Sequence, residues 1–254
     1  MQFGQGKDII FLHGWGGSTV SFLGVANQIS DQYRVTLVDF YGFGKTPHPD
    51  YPLFVEDYAK SVVEIINKFK MSGVIIVGHS FGGRVAIRLA SKWGYLLDKL
   101  VLIDSAGIKP RRGIKYYYRV YRHKLLKKLH ITHQAGSEDY NALSPIARES
   151  FKNIVNEDLT SELKKITMPT LLIWGNKDKD TPIYMARRML KQITGSALIV
   201  FENAGHYSYL DGFRVFVSIL KSFSADGQYG FGGSFHNLGF NDRNIVKISL
   251  PRTE

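Results

Sequence analysis

The chain of 254 residues alternates two hydrophobic rhythms. Short, almost unbroken apolar runs rich in Val, Ile and Leu recur at Asp8 to Leu12, Arg34 to Val38, Gly73 to Val77, Lys99 to Ile103, Thr170 to Trp174 and Ala197 to Phe201. Runs of that length without polar alternation suit strands of a parallel sheet, because helices cover both of its faces. Between them apolar residues return at steps of three and four: Val55, Tyr58, Val62, Ile66 and Phe69, then Val85, Leu89 and Trp93, then Val215, Ile219 and Phe223. That spacing predicts helices with one buried stripe. Strand–helix alternation of this kind predicts an α/β fold, with an open, mostly parallel sheet flanked by helices.

Two stretches break the rhythm. From 108 to 166 no strand pattern occurs; a basic segment with Tyr116, Tyr117, Tyr118 and Tyr121 is followed by a mixed helical stretch containing Glu149, Glu157 and Asp158. This predicts a helical cap over 108–166, inserted into a core made of 1–107 and 167–224. Residues 225–254 hold Gly227, Gly230, Gly232, Gly233 and Gly239, a composition that favours a flexible tail, and then one further strand pattern from Ile245 to Leu250.

Composition narrows the chemistry. With 16 Phe, 14 Tyr and 3 Trp in a chain that is 44% apolar, a sizeable core is available. Cysteine is absent, which excludes a disulfide framework, a thiolate zinc site, an iron–sulfur cluster and a cysteine nucleophile. The opening Met1 to Lys7 lacks a cationic start followed by an apolar core, so a cytoplasmic location is expected. The net charge of +11 fits either solubility or an anionic partner. Its distribution is uneven. No acidic residue lies between Asp104 and Glu138, a span that holds Lys109, Arg111, Arg112, Lys115, Arg119, Arg122, Lys124, Lys127 and Lys128. These cations form either a solvated face of the cap or a surface for an anionic substrate or peripheral membrane contact. No nucleic-acid recognition motif accompanies them, and nucleic acid is not expected as a partner.

The strongest chemical signal is Gly78-His79-Ser80-Phe81-Gly82-Gly83, directly after one strand pattern and directly before a helical one. A Ser between close glycines at a strand-to-helix turn sits in a strained conformation with its hydroxyl exposed, and the helix start behind it supplies free N–H groups. The bland alternatives are a turn or a phosphate loop; the GxxxxGK(S/T) pattern of the latter is missing. A Ser hydroxyl needs a base, and the base needs an orienting acid. His206, in Asn203 to Tyr207 after the strand pattern Ala197 to Phe201, is the candidate base. His79 adjoins the Ser but is expected to point elsewhere. Asp178, after Thr170 to Trp174, is the candidate acid, with Asp180 and Asp104 as competitors, and Asp39 reads as a structural carboxylate opening its own loop.

The order Ser80, Asp178, His206, together with the His13 to Gly17 loop after the first strand and the Asp39 to Lys45 loop, resembles the α/β-hydrolase superfamily, in particular its small capped bacterial serine hydrolases and esterases. The resemblance runs from about Asp8 to Phe223. It implies a Ser80–His206–Asp178 triad, an oxyanion hole from the backbone N–H groups of Trp15 and Phe81, no cofactor and no metal, and cleavage of a small-molecule ester through an acyl-enzyme; if the basic cap is more than a solvated face, that ester is anionic or lipid-like. A Ser at the nucleophile position argues against the dehalogenase and epoxide hydrolase members, which use Asp there. A ligand-binding or regulatory protein with slow turnover, a carbon–carbon hydrolase, an aminopeptidase, a perhydrolase and an acyltransferase remain alternatives on the same residues. The short N-terminus implies a reduced sheet edge.

Overall fold

A computed structural model describes residues 1–109, 143–225 and 245–250. Its centre is an eight-stranded sheet: β1 (Gln2–Phe3), β2 (Lys7–Leu12), β3 (Tyr33–Val38), β4 (Val74–His79), β5 (Leu97–Ile103), β6 (Thr170–Gly175), β7 (Ser196–Glu202) and β8 (Ile245–Ser249). The strands lie in the order β1-β3-β2-β4-β5-β6-β7-β8. Among the described residues only β1 runs antiparallel, pairing Gln2 with Thr36 at the edge expected to be reduced. All other pairs are parallel.

The continuous apolar runs are explained by two buried faces. Along each strand successive side chains point to opposite faces. Ile10, Leu12, Ile76, Leu100, Leu102, Leu172 and Trp174 enter one core cluster, while Ile9, Phe11, Ile75, Val77, Val101, Ile103, Leu171 and Ile173 enter the other. The first cluster is closed by α2 (Val55–Lys68), α3 (Phe81–Trp93) and α5 (Tyr184–Gln192). The second is closed by α1 (Val20–Ile29) and α7 (Phe213–Ser224), which follows the short α6 (Ser208–Asp211). Helix α1 was not among the expected helices, although its buried Phe22, Val25, Ala26 and Ile29 keep helical spacing.

Within the expected cap, residues 110–142, with the Tyr-rich and most of the basic segment, lie outside the described residues. The remainder forms α4 (Pro145–Asn156) and a turn of tighter helix over Thr160–Lys165. Ser144 caps α4 through the Ala147 N–H, and Pro145 occupies its first turn. Ile154, Leu159 and Leu163 pack into the first core cluster. Arg88 of α3 pairs with Glu157, so this connection is fastened to the helix behind Ser80. Within the expected tail, β8 adds to the sheet parallel to β7, with Val246 and Leu250 buried in the second cluster.

The order in which strands are added decides where the site falls. From β2 the chain moves outward to β3 and then returns to the other side of β2 as β4. Loops leaving β2 and β4 therefore diverge at their carboxyl ends and open a crevice, the usual ligand position in open α/β sheets. No helix among the described residues is long and apolar enough to cross a membrane.

Candidate active site

Ser80 caps α3 with φ 51° and ψ −111°, a left-handed conformation costly for a residue with a Cβ. The surrounding chain fixes it there. The Ser80 N–H donates to the Ile103 carbonyl at 3.0 Å, and the Ser80 carbonyl accepts from Arg84 and Ala106 at 3.1 and 3.0 Å. The glycines are required by close approach: a Cβ on Gly78 would stand 2.6 Å from the Gly82 carbonyl oxygen, and one on Gly82 would stand 2.1 Å from that of Leu12. Only a bare backbone lets α3 begin this close to β2 and β4.

Ser80 Oγ lies 2.9 Å from His206 Nε2, and His206 Nδ1 lies 2.9 Å from Asp178 Oδ2. Residues 126 positions apart in the chain thus meet in one hydrogen-bonded line. Asp178 is buried and held from its far side, where Oδ1 accepts the N–H groups of Asp180 and Thr181 at 2.8 and 3.0 Å. Burial pushes its carboxyl up, but the hydrogen bond from His206 and those from Thr181 outweigh this and leave it below the usual value. For His206 burial works downward, and the bond and charge of Asp178 prevail and raise it above 6.5.

The competing carboxylates have other places. Asp104, fully buried with φ 42°, accepts the Gly175 N–H at 2.8 Å on Oδ1, and the N–H and hydroxyl of Ser208 at 3.0 and 2.6 Å on Oδ2. It ties the exit of β6 to the start of α6 rather than touching the imidazole. Burial pushes it up to about 7, against the pull of those hydrogen bonds. Asp180 is exposed at the cavity wall. Asp178, Asp180 and His206 offer ligand atoms within 4.8 Å of one another, the geometry of a cation site, but a cation there would have to displace the His206–Asp178 bond. Asp39 accepts the Thr19 N–H at 2.6 Å and the Lys45 N–H at 3.1 Å, joining the start of α1 to its own loop.

His13 is buried; its Nδ1–H donates to the Gly14 carbonyl at 2.7 Å and its Nε2 accepts the Phe40 N–H at 3.2 Å. Burial lowers it, so the neutral ring is a fixed brace between two loops. His123, His130, His133 and His236 lie outside the described residues. Thr181 joins the site without any sign in the sequence pattern. Its hydroxyl lies 2.6 Å from Asp178 Oδ2 and 2.9 Å from the Asp104 carbonyl, two acceptors for one proton. Asp178 is a local partner, three residues back on the same loop, whereas the Asp104 carbonyl comes within reach only through the alignment of β5 with β6.

A cavity of about 550 Å³ opens over Ser80 and His206. Trp15, Ala106, Leu143, Phe151 and Val155 give it an apolar wall. The Trp15 ring meets Phe81 at 5.4 Å, Phe43 at 4.8 Å and Phe151 of α4 at 5.0 Å. Phe81 opens α3, so its N–H has no acceptor within the helix. The Gly17 N–H closes the turn of the Trp15 loop on the Gly14 carbonyl at 3.0 Å.

A mostly parallel sheet with helices on both faces, a strained Ser at a strand-to-helix turn and a His and an Asp from two later loops define a hydrolase architecture. Residues 9–219 match the alpha/beta hydrolase family, and the chain belongs to it. It is 28% identical to the AB hydrolase superfamily protein YisY of Bacillus subtilis (strain 168), over 87% of this chain and 92% of that one. It is 27% identical to a pimeloyl-acyl-carrier-protein methyl ester esterase of Vibrio vulnificus (strain YJ016), over 87% and 95% of the two chains. Among solved structures it resembles the esterase EaEST of Exiguobacterium antarcticum, with a TM-score of 0.72, 27% identity and coverage of 88% and 93%.

Proposed function

We propose that the protein is a serine hydrolase that cleaves carboxylic esters by two-step acyl transfer. The observation that carries this reading is the unbroken line from Ser80 Oγ through His206 to Asp178, with both hydrogen bonds at 2.9 Å. Asp178 accepts from Nδ1, so the lone pair of neutral His206 lies on Nε2, facing the Ser80 hydroxyl. Nε2 takes the proton as Oγ attacks the substrate carbonyl. Asp178 holds the ring in that tautomer and stabilises the imidazolium. The N–H groups of Phe81 and Trp15 receive the oxyanion, each such donor being worth about 3 kcal/mol in the transition state. His206 then protonates the leaving alcohol, and water attacks the acyl-enzyme by the same route in reverse. The apolar wall of Trp15, Phe151 and Val155 suits an apolar acyl chain, and the names of the esterase relatives support an ester rather than another acyl bond.

The test is labelling with a fluorophosphonate probe, followed by turnover of p-nitrophenyl esters of increasing acyl length. Native protein labels and turns over esters, while Ser80→Ala does neither. Equal labelling of Ser80→Ala overturns the nucleophile; labelling of the native chain without ester turnover overturns the esterase reading.

A further inference from the structure

The reaction just described gives no part to His79, yet this side chain lies against His206, Tyr207 and the loop that carries Trp15. It ends β4 next to Ser80 and is 2% exposed. Its Nε2 lies 2.7 Å from the main-chain carbonyl oxygen of His206. A carbonyl oxygen only accepts, so Nε2 carries the proton and the tautomer is fixed. Burial lowers the ring to about 4, which keeps it neutral at ordinary pH. Its centroid is 5.0 Å from the His206 ring and 5.0 Å from that of Tyr207. On its other edge, a Cβ built on Gly14 would fall 2.8 Å from Nδ1, so the ring also backs the loop that carries Trp15.

The need for such a contact follows from the sheet. His206 follows β7, and Ser80 follows β4, with β5 and β6 between them. Three strand spacings amount to about 14 Å, so the loop of 203–207 must reach back across the sheet to bring its imidazole to Ser80. Its other anchors are on the far side of that reach. Asn203 N–H donates to Asn176 Oδ1, the Ala204 carbonyl accepts from Lys177, Gly205 N–H donates to Asp211, and Ser208 is bound by Asp104. Those bonds hold the loop to β5, β6 and itself. The His79 bond runs from β4.

We propose that His79 is a positioning residue: its Nε2–H holds the backbone of His206 and thereby sets the imidazole at bonding distance from Ser80. The proposal rests on the Ser80–His206–Asp178 reading above. It is separable from that reading because removing the His79 donor leaves the His206–Asp178 bond in place. The loss therefore falls on kcat, with the acid limb of the pH profile unmoved.

The test compares His79→Met with His79→Gln. The side chains have similar length and volume, but only Gln offers an amide N–H near the position of Nε2. Turnover of p-nitrophenyl butyrate, fluorophosphonate labelling rate and urea midpoint are measured for both. A displacement of order 1 Å at the reacting centre costs about 100-fold, so kcat for His79→Met falls by that order and His79→Gln recovers to within about tenfold of native, at equal urea midpoints. His79→Leu replaces the Met variant should the latter not fold. Activity of the donor-less variant within threefold of native overturns the proposal, and so does an equal loss in the Gln variant. Labelling that survives Ser80→Ala defeats the triad instead; native-rate labelling of His79→Met, with Ser80→Ala unlabelled, leaves the triad standing and overturns the positioning role of His79.

Discussion

Replacing Asp178 by Asn removes one charge without removing a single atom of bulk, and the surrounding bonds decide which way the amide turns. Oδ1 faces two backbone donors, the N–H groups of Asp180 and Thr181 at 2.8 and 3.0 Å. Neither can rotate away, and a buried donor without an acceptor costs about 1–3 kcal/mol. The amide oxygen therefore takes the Oδ1 position, and the NH2 group takes that of Oδ2. There it faces His206 Nδ1 at 2.9 Å and the Thr181 hydroxyl at 2.6 Å. Thr181 can turn, accept from the amide and give its own proton to the Asp104 carbonyl at 2.9 Å. His206 has one answer: Nδ1 becomes the acceptor and the proton moves to Nε2, where it points at Ser80 Oγ.

The variant is thus expected to fold with its hydrogen bonds satisfied and its base in the wrong tautomer. Such a change in a serine triad lowers kcat by about 10⁴, or about 5 kcal/mol of activation free energy. Because the carboxylate also holds the imidazole above 6.5, its loss moves the acid limb of kcat/KM to lower pH. The assay is p-nitrophenyl butyrate turnover from pH 5 to 9, beside a thermal melt. Activity within tenfold of native refutes the reasoning, and so does an acid limb that stays in place. In Ser80→Ala the substitution adds almost no further loss, because members of a triad act as a unit.

Asp104, raised by burial to about 7 from 3.8, keeps a proton that the unfolded chain has already released between those values. Its contribution to stability is full below 3.8 and declines by about 1.4 kcal/mol per pH unit until it is lost above 7, about 4 kcal/mol in all. Asp104→Asn cannot ionise and removes that slope; urea midpoints of the two proteins that run parallel from pH 5 to 8 contradict it. Gly82→Ala drives a Cβ to 2.1 Å from the Leu12 carbonyl oxygen and 2.7 Å from that of His13. Both obstacles are backbone, so at least about 3 kcal/mol is lost and the melting temperature falls by about 10 °C. A melt within 2 °C of native shows that β2 and α3 can part without cost.

Much of the fold is carried by local pattern. A strand covered on both faces must be apolar at nearly every position, and β2 to β7 are legible for that reason alone. The elbow at Ser80 is equally local, because the glycines that permit it adjoin it in sequence. Helix α1 escaped because its stripe of Phe22, Val25, Ala26 and Ile29 is short and follows a Gly- and Ser-containing turn. The two-residue β1 carries no pattern at all; pairing with β3 defines it.

What the chain alone determined is the alternation, the strained Ser and a short set of carboxylates and imidazoles at strand ends. Tertiary structure chose among them. Asp104, Asp178 and Asp180 are alike as residues at the ends of strands, and only the placing of β5, β6 and β7 side by side gives one of them to His206, one to Ser208 and one to the cavity wall. The role of His79 was likewise invisible, since its partner is a main-chain carbonyl 127 positions away. Every residue has such a carbonyl, so no pattern of residue types can announce the bond; it exists only once a loop has crossed the sheet.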